Sequence, residues 1–307
     1  MSSQPGTVRP AAAAPRRLAP GVEVVAVPAR AGDGVAELAV RTADGEFLRV
    51  NTGEAPVPRL LAHLAGDAAS NTGADGLDAP SGELDRLTGA FDQAGYLTAR
   101  PSTTAWAADR RTVWLLGDER ITGPLTALLA AAGADPRPTE PAELATLLDE
   151  PECPPAPAAV VWCLDGPVPP GLWDAADRLP ERGVAWLRCH REGWQAWLEP
   201  LAALPGDVTS AHIRARRLAA TPAHRELAAY WRGARTTGHP APLTGPAAAL
   251  IAALLAADLA DWAGAAPGEG GLPARRRLRR VDLRDLTVEN HPVLPVPPVA
   301  PRRRGTP

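Results

Sequence analysis

The sequence predicts an α/β fold arranged as two domains. Its 307 residues exceed the usual size of one domain, and 45% of them are apolar, which is enough for a sizeable core. Three apolar runs, at 112–117, 158–164 and 184–188, alternate with helical patterns, as buried parallel strands do. The amino-terminal strand candidates instead alternate apolar and polar residues, which is typical of half-buried antiparallel strands.

Composition argues against several classes of function. The net charge is −3 and lysine is absent, so the chain as a whole has no electrostatic attraction to nucleic acid or to an anionic membrane. The three cysteines form no C-x-x-C pair, which favours a reducing cytoplasm over a disulfide framework. The most apolar run, Ala247 to Leu259, is too short to span a bilayer and predicts a buried helix.

We expect the first domain at residues 21–100, after a Pro/Ala-rich arm at 1–20 that is predicted to be disordered. The turn Ala43-Asp44-Gly45 predicts that the second and third strands form a hairpin. The strands are predicted at Gly21–Val27, Val35–Arg41 and Phe47–Asn51.

Helices follow these strands. One is predicted at 58–65, and a Gly/Asp/Asn-rich loop at 66–80 separates it from the next. The second begins with Ser81 as its N-cap and carries Leu84, Leu87 and Phe91 on one face. Strands followed by helices predict a winged-helix-like unit.

We expect the second domain at 111–298, between a linker at 101–111 and a tail at 299–307. Beyond its three apolar strands, the pattern predicts helices at His212–Arg232 and Pro246–Trp262 and a strand at Arg279–Val288.

Two segments of this domain resemble a known family. One is WLEPL at 197–201, continued by Pro205-Gly206 and by RRL at 216–218, and the other is RVDL at 280–283, continued by HPVLPVP at 291–297. Together they resemble the ThiF-like partner proteins of YcaO azoline-forming cyclodehydratases, which serve the synthesis of thiazole- and oxazole-containing peptides. The resemblance extends over nearly the whole chain from residue 20, and it implies a degenerate ubiquitin-activating-enzyme-like domain behind the peptide-recognition unit.

The resemblance implies a scaffold without catalytic residues or a cofactor. The first domain would bind the leader of a ribosomally made precursor peptide, while a separate YcaO-type enzyme would use ATP to form rings in the core peptide. The leader would add as a strand to the edge at 47–51 and rest on the helix that follows. A homodimer is also compatible with the family. The implied leader-binding residues are Phe47, Leu48, Arg49, Val50, Asn51, Leu84, Leu87 and Phe91.

The chain departs from the family at its structural zinc site. The four cysteine positions align with Ser210, Ile213, Val299 and Arg302. None of these residues supplies a thiolate, so we expect no zinc.

The phosphate-binding loop and the recognition unit also differ. Gly117 is followed by Glu119 and Thr122 where the other glycines of G-x-G-x-x-G belong, so ATP binding is not expected. The loop at 66–80 replaces a helix of the usual recognition unit.

Two other functions remain open. An adenylyltransferase that activates a peptide carboxylate would need the missing phosphate loop. A winged-helix DNA-binding regulator would need a basic recognition helix, but the helix from Ser81 carries three acidic residues and only Arg86 as a base.

The remaining polar residues are interpreted as structural. We expect His190, His212, His224 and His291 at the surface or at the edge of the core, because no pair has the spacing of metal ligands. The arginines at 275–280 and 302–304 predict either a solvated loop or a contact with an acidic partner.

Overall fold

A computed structural model describes eight stretches of the chain: 17–27, 37–51, 81–98, 106–150, 157–169, 171–233, 238–264 and 271–297. The chain divides into two compact units, residues 1–103 and 104–307. The predicted helix at 58–65, the loop at 66–80 and the tail at 299–307 lie outside the described residues.

The first unit contains two small antiparallel sheets and one helix. Its elements are β1 (Arg17–Leu18), β2 (Glu23–Val27), β3 (Glu37–Arg41), β4 (Phe47–Val50), α1 (Ser81–Gln93) and β5 (Leu97–Thr98). The larger sheet has the order β2-β3-β4 and the smaller one pairs β1 with β5. Gly45, with a φ of 86°, donates its N–H to the Thr42 carbonyl in the turn between β3 and β4, which confirms the predicted hairpin.

Helix α1 packs its apolar face on this sheet. Leu87 and Phe91 are 3% and 4% exposed and cluster with Leu38 and Val40 of β3. After the helix the chain folds back through Gly95, and β5 pairs with β1. The last residues of the predicted disordered arm are therefore ordered, because β5 offers them a strand to pair with.

The second unit is built on a seven-stranded sheet. Its strands are β6 (Thr112–Gly117), β7 (Asp135–Pro138), β8 (Ala159–Cys163), β9 (Ala185–Glu192), β10 (Gln195–Ala202), β11 (Arg277–Asp282) and β12 (Thr287–Pro292). They lie in the order β12-β11-β10-β9-β8-β6-β7. The strands from β7 to β9 are parallel, and those from β9 to β12 are antiparallel.

The sheet is thus mixed: the three apolar runs form parallel strands as predicted, and β10, β11 and β12 extend the sheet beyond β9 as antiparallel strands. Strand β10 lacks a continuous apolar pattern, because Glu199 and Pro200 interrupt it. Its pairing with β9 also shifts register between Glu199 and Ala202. Strand β7 reads Asp-Pro-Arg-Pro and lies at the edge of the sheet, where prolines are tolerated. The single strand predicted at 279–288 is a hairpin that turns at Leu286, whose φ is 63°.

Helices cover both faces of this sheet. They are α2 (Glu119–Ala131), α3 (Pro141–Asp149), α4 (Leu172–Ala175), α5 (Ser210–Ala220), α6 (His224–Trp231) and α7 (Gly245–Ala263). Helices α2 and α7 form one hydrophobic core with the sheet, while α3, α4 and the 3₁₀ turn that follows α4 form a second core on the opposite face.

Helix α7 is longer than its apolar run suggested. With 19 mostly apolar residues it has the length and composition of a membrane span, a property that it shares with core helices of soluble proteins. Here it packs against α2 and the sheet, as the predicted buried helix. Its Asp258 is buried and pairs with Arg277 and Arg279 of β11.

The arginines at 275–280 are consequently part of the fold. Arg279 is only 5% exposed, and Arg275 donates to Asp207 at 2.6 Å. The solvated loop predicted for this run is wrong, because acidic side chains distant in the sequence fold against it. The arginines at 302–304 lie outside the described residues.

Candidate functional site

The first candidate region is the outer edge of β4. Among the described residues, β4 pairs only with β3. The Thr42 N–H donates to the Glu46 carbonyl, and hydrogen-bonded pairs alternate along an antiparallel ladder, so Leu48 and Val50 bond to β3. The backbone N–H and C=O groups of Phe47 and Arg49 therefore point away from β3. This edge can accept an additional strand.

The side chains along this edge are unusually apolar for an open strand. Phe47 is 65% exposed and Leu48 is 41% exposed, on opposite faces of the sheet. Val50 is half-buried against the core, on the same face as Leu48. Asn51 follows directly after the strand.

The helix residues expected at this site have a different position. The predicted common face is present, but Leu87 and Phe91 already fill the core under β3. We therefore assign them to supporting the sheet rather than to touching a guest. The side chain of Leu84 is not among those described.

The second candidate region is the amino-terminal end of α2, where the fold would place a phosphate. Gly117, with a φ of 108°, leaves no room for a side chain, since a Cβ atom would lie 1.8 Å from the carbonyl oxygen of Cys163. Asp118 caps the helix, because its Oδ1 accepts the Arg120 N–H at 2.9 Å. The position of a bound anion is thus taken by a carboxylate of the chain itself.

Arginines neutralise this end of the sheet. Arg120 bonds to Asp118 and pairs with Asp165, and Arg191 pairs with Asp165 from β9. The hydrogen bond from Arg120 is the largest of the effects that lower the pKa of Asp118, so its carboxylate stays ionised. The sequence pointed to Glu119 as the charge that opposes a phosphate, whereas the structure gives that place to Asp118, which the glycine spacing did not single out.

Two of the aligned zinc positions lie at the start of α5. Ser210 Oγ donates to Glu199 Oε2 at 3.0 Å and accepts the Trp173 indole N–H at 3.0 Å. Ile213 is buried in an apolar cluster with Val208, Leu278 and Val293.

These side chains do not fit a zinc ion. Neither Ser210 nor Ile213 supplies a thiolate or an imidazole. The described residues also contain no group of three or more His, Cys, Asp or Glu side chains that could hold a metal. The other two positions, Val299 and Arg302, lie outside the described residues.

A buried ionic network joins β9 to β10. The Arg188 guanidinium is fully buried, donates to Asp177 Oδ1 at 2.9 Å and to the Pro200 carbonyl at 3.0 Å, and lies 2.9 Å from Glu199 Oε2. Burial raises the pKa of Asp177, although the charge of Arg188 opposes this effect. Sequence reasoning missed the network, because each of its charged members resembles an ordinary surface charge when its own segment is considered alone.

A second network lies at the end of β9. Glu192 accepts two hydrogen bonds from Arg217, at 3.1 and 2.6 Å, and one from the Trp231 indole at 2.7 Å. Burial raises the pKa of Glu192, but hydrogen bonds from His190 and Arg217 and the charge of Arg217 together hold it well below its usual value. The Arg217 guanidinium also stacks on Trp197 at 3.8 Å.

The four histidines considered in the sequence analysis have separate roles. His190 is buried beside Trp173, while His212 completes the capping box of α5 and His224 and His291 lie nearer the surface. The expectation of a surface or core-edge position is therefore wrong for His190.

These features define an α/β protein in which a small strand-and-helix unit precedes, along the chain, a unit built on a mixed seven-stranded sheet. Among solved structures, the chain is similar to a heterocyclase in complex with substrate and cofactor (TM-score 0.58, 16% identity, 90% of this chain and 38% of that chain). It is also similar to the heterocyclase TruD (TM-score 0.57, 17% identity, 91% and 41%) and to E. coli MccB with ATP (TM-score 0.53, 11% identity, 92% and 97%).

The likeness extends over about nine tenths of this chain, and it confirms the predicted resemblance at the level of the fold. The chain spans only about two fifths of the length of the heterocyclases. No family model matches the chain, and no curated protein matches its sequence.

Proposed function

We propose that this chain is a non-catalytic recognition subunit that acts in the cytoplasm. Its first unit, a winged-helix-like recognition element, binds the leader of a ribosomal precursor peptide and presents the core to a YcaO-type cyclodehydratase. The open edge of β4 carries the proposal, because it offers outward backbone groups beside the exposed apolar side chains of Phe47 and Leu48. Backbone pairing supplies affinity for an extended peptide and the side chains set its register.

The fold likeness to the heterocyclases supports this context, since a heterocyclase forms rings. Tethering a leader raises the effective concentration of the attached core at a partner's active site without any catalytic group on the scaffold.

The proposal is tested with proline substitutions that act on one sheet edge at a time. Arg49→Pro removes an N–H that points away from β3, so the β3–β4 ladder is retained while a guest strand loses a donor. Arg49→Ala controls for the side chain. By the same alternation, Ala26 of β2 points its N–H away from β3, so Ala26→Pro is the matched change on the opposite edge.

If the gene neighbourhood encodes a precursor peptide, we expect its leader to bind the wild type, Arg49→Ala and Ala26→Pro alike in fluorescence anisotropy. Arg49→Pro should bind about tenfold more weakly or worse, from one lost hydrogen bond plus the steric effect of the ring. Weaker binding by Ala26→Pro alone would indicate that the leader pairs with β2 instead of β4. Equal binding by all variants would refute an added strand.

The fold of MccB, which was solved with ATP, makes an adenylyltransferase the second candidate. Asp118 opposes it, because its carboxylate occupies the helix end that a phosphate would need. ATP–pyrophosphate exchange by the purified chain separates the two functions, since exchange above the background of a protein-free reaction would favour the enzyme.

A further inference from the structure

A cleft of about 850 Å³ opens in the second unit beside α5 and α6. Apolar side chains line its walls, chiefly Val168, Ile213, Ala228 and Trp231. A concave, largely apolar surface with a few polar groups at its base is the usual form of a ligand site. Neither the leader-binding edge nor the end of α2 contributes to it.

The base of the cleft contains an unsatisfied polar atom. The His190 side chain is 4% exposed and lines the cleft, and its Nδ1 has no hydrogen-bond partner among the described residues. Its Nε2 lies 3.5 Å from Glu192 Oε1, and its Nδ1 lies 3.7 Å from Glu199 Oε1, beyond hydrogen-bond distance.

The surrounding carboxylates decide what His190 can bind. Glu192 lies on the Nε2 side of the ring, which leaves Nδ1 as the ring nitrogen without a partner among the described residues. Nδ1 and the Glu199 Oε1 atom lie 3.7 Å apart. A hydroxyl or carboxamide placed between them can donate a hydrogen bond to the carboxylate and also bond to Nδ1.

The charges around the cleft limit the ligand further. Three arginines line it, Arg214, Arg217 and Arg232, and Asp174 accompanies them on the wall. Arg214 already pairs with Asp174, Arg217 with Glu192 and Arg188 with Glu199, so the base of the cleft offers no uncompensated counter-charge to a charged ligand. Guanidinium groups can donate to the backbone carbonyls of a peptide lying across the opening.

We propose that this cleft binds a peptide side chain that ends in a neutral hydrogen-bond donor, a hydroxyl or a carboxamide. The donor reaches His190 and Glu199, and the aliphatic part of the side chain packs against Val168 and Trp231. The site lies wholly within the second unit, so the outcome of its test does not depend on the leader-binding proposal.

The test uses the full chain labelled with ¹⁵N-histidine and titrated with capped tripeptides, acetyl-Gly-X-Gly-amide. With X as glutamine or threonine, we expect the Nδ1 resonance of His190 to shift in proton–nitrogen spectra. The fitted affinity should exceed that of the norvaline probe, which lacks the donor, about three- to tenfold. Glutamate and lysine probes should bind more weakly than glutamine.

Ala228→Trp fills the cleft without altering its polar base and should abolish the shift. His239→Phe is the matched control, because His239 is exposed and does not line the cleft, and it should leave binding unchanged. His190→Phe assigns the resonance, and Ala228→Trp keeps the test decisive if that variant does not fold. The proposal is overturned if glutamine and norvaline bind alike, if Ala228→Trp binds normally, or if millimolar probes shift nothing, since water alone then satisfies Nδ1.

Discussion

Replacing Asp258 by asparagine should destabilise the second unit by about 3 kcal/mol. The substitution keeps the shape of the side chain but leaves the buried guanidinium groups of Arg277 and Arg279 without their counter-charge. Breaking a buried ion pair from one side costs about 3–5 kcal/mol. The lower end applies here, because Arg277 keeps the Leu272 carbonyl at 2.7 Å and Arg279 keeps the Leu254 carbonyl at 3.3 Å.

Urea unfolding followed by tryptophan fluorescence measures this effect cleanly. All nine tryptophans lie at or beyond position 106, so the signal reports the second unit alone. Asp261→Asn is the matched control, because Asp261 is about half exposed and lies 3.8 Å from Arg277, a contact worth less than about 1 kcal/mol. Equal free energies of unfolding for the two variants would refute a stabilising role for the buried pair.

Two further predictions use the same measurement. Gly117→Ala should lower the free energy of unfolding by about 3 kcal/mol or more, because its Cβ would collide with the Cys163 carbonyl at a positive φ. Gly123→Ala, in open space on α2, should leave the free energy of unfolding unchanged or raise it. Similar stabilities of the two variants would contradict the packing role of Gly117. Glu192 has a folded-state pKa below its ordinary value of 4.5. Its contribution to the stability of the folded state is therefore complete above pH 4.5 and is lost as the pH falls below that value. Glu192→Gln should therefore show a shallower loss of stability between pH 5 and about 3 than the wild type, and parallel curves would exclude this origin of acid sensitivity.

The elements that the sequence predicted correctly are those with continuous local patterns. Strands β6, β8 and β9 are uninterrupted apolar runs, and the turn at Gly45 fixes the hairpin of the first unit. Strand β10 escaped prediction because Glu199 and Pro200 break its pattern, although Glu199 is buried by pairing with Arg188.

The candidate site was predictable in part for a similar reason. The spacing of Leu87 and Phe91 shows that they share a helix face, but spacing cannot distinguish a face that waits for a ligand from one already covered by β3. The buried role of His190 depends on Glu192 and Glu199, which only the pairing of β9 with β10 brings near it.

The Asp118 cap has a consequence for how this unit responds to its surroundings. A dissociable anion at a helix end stabilises a protein only in proportion to its occupancy, so stability then follows the solute concentration. Asp118 is covalently attached and is always within reach of the α2 N–H groups. The contribution of Asp118 to the stability of that helix end therefore does not depend on the concentration of any dissolved anion.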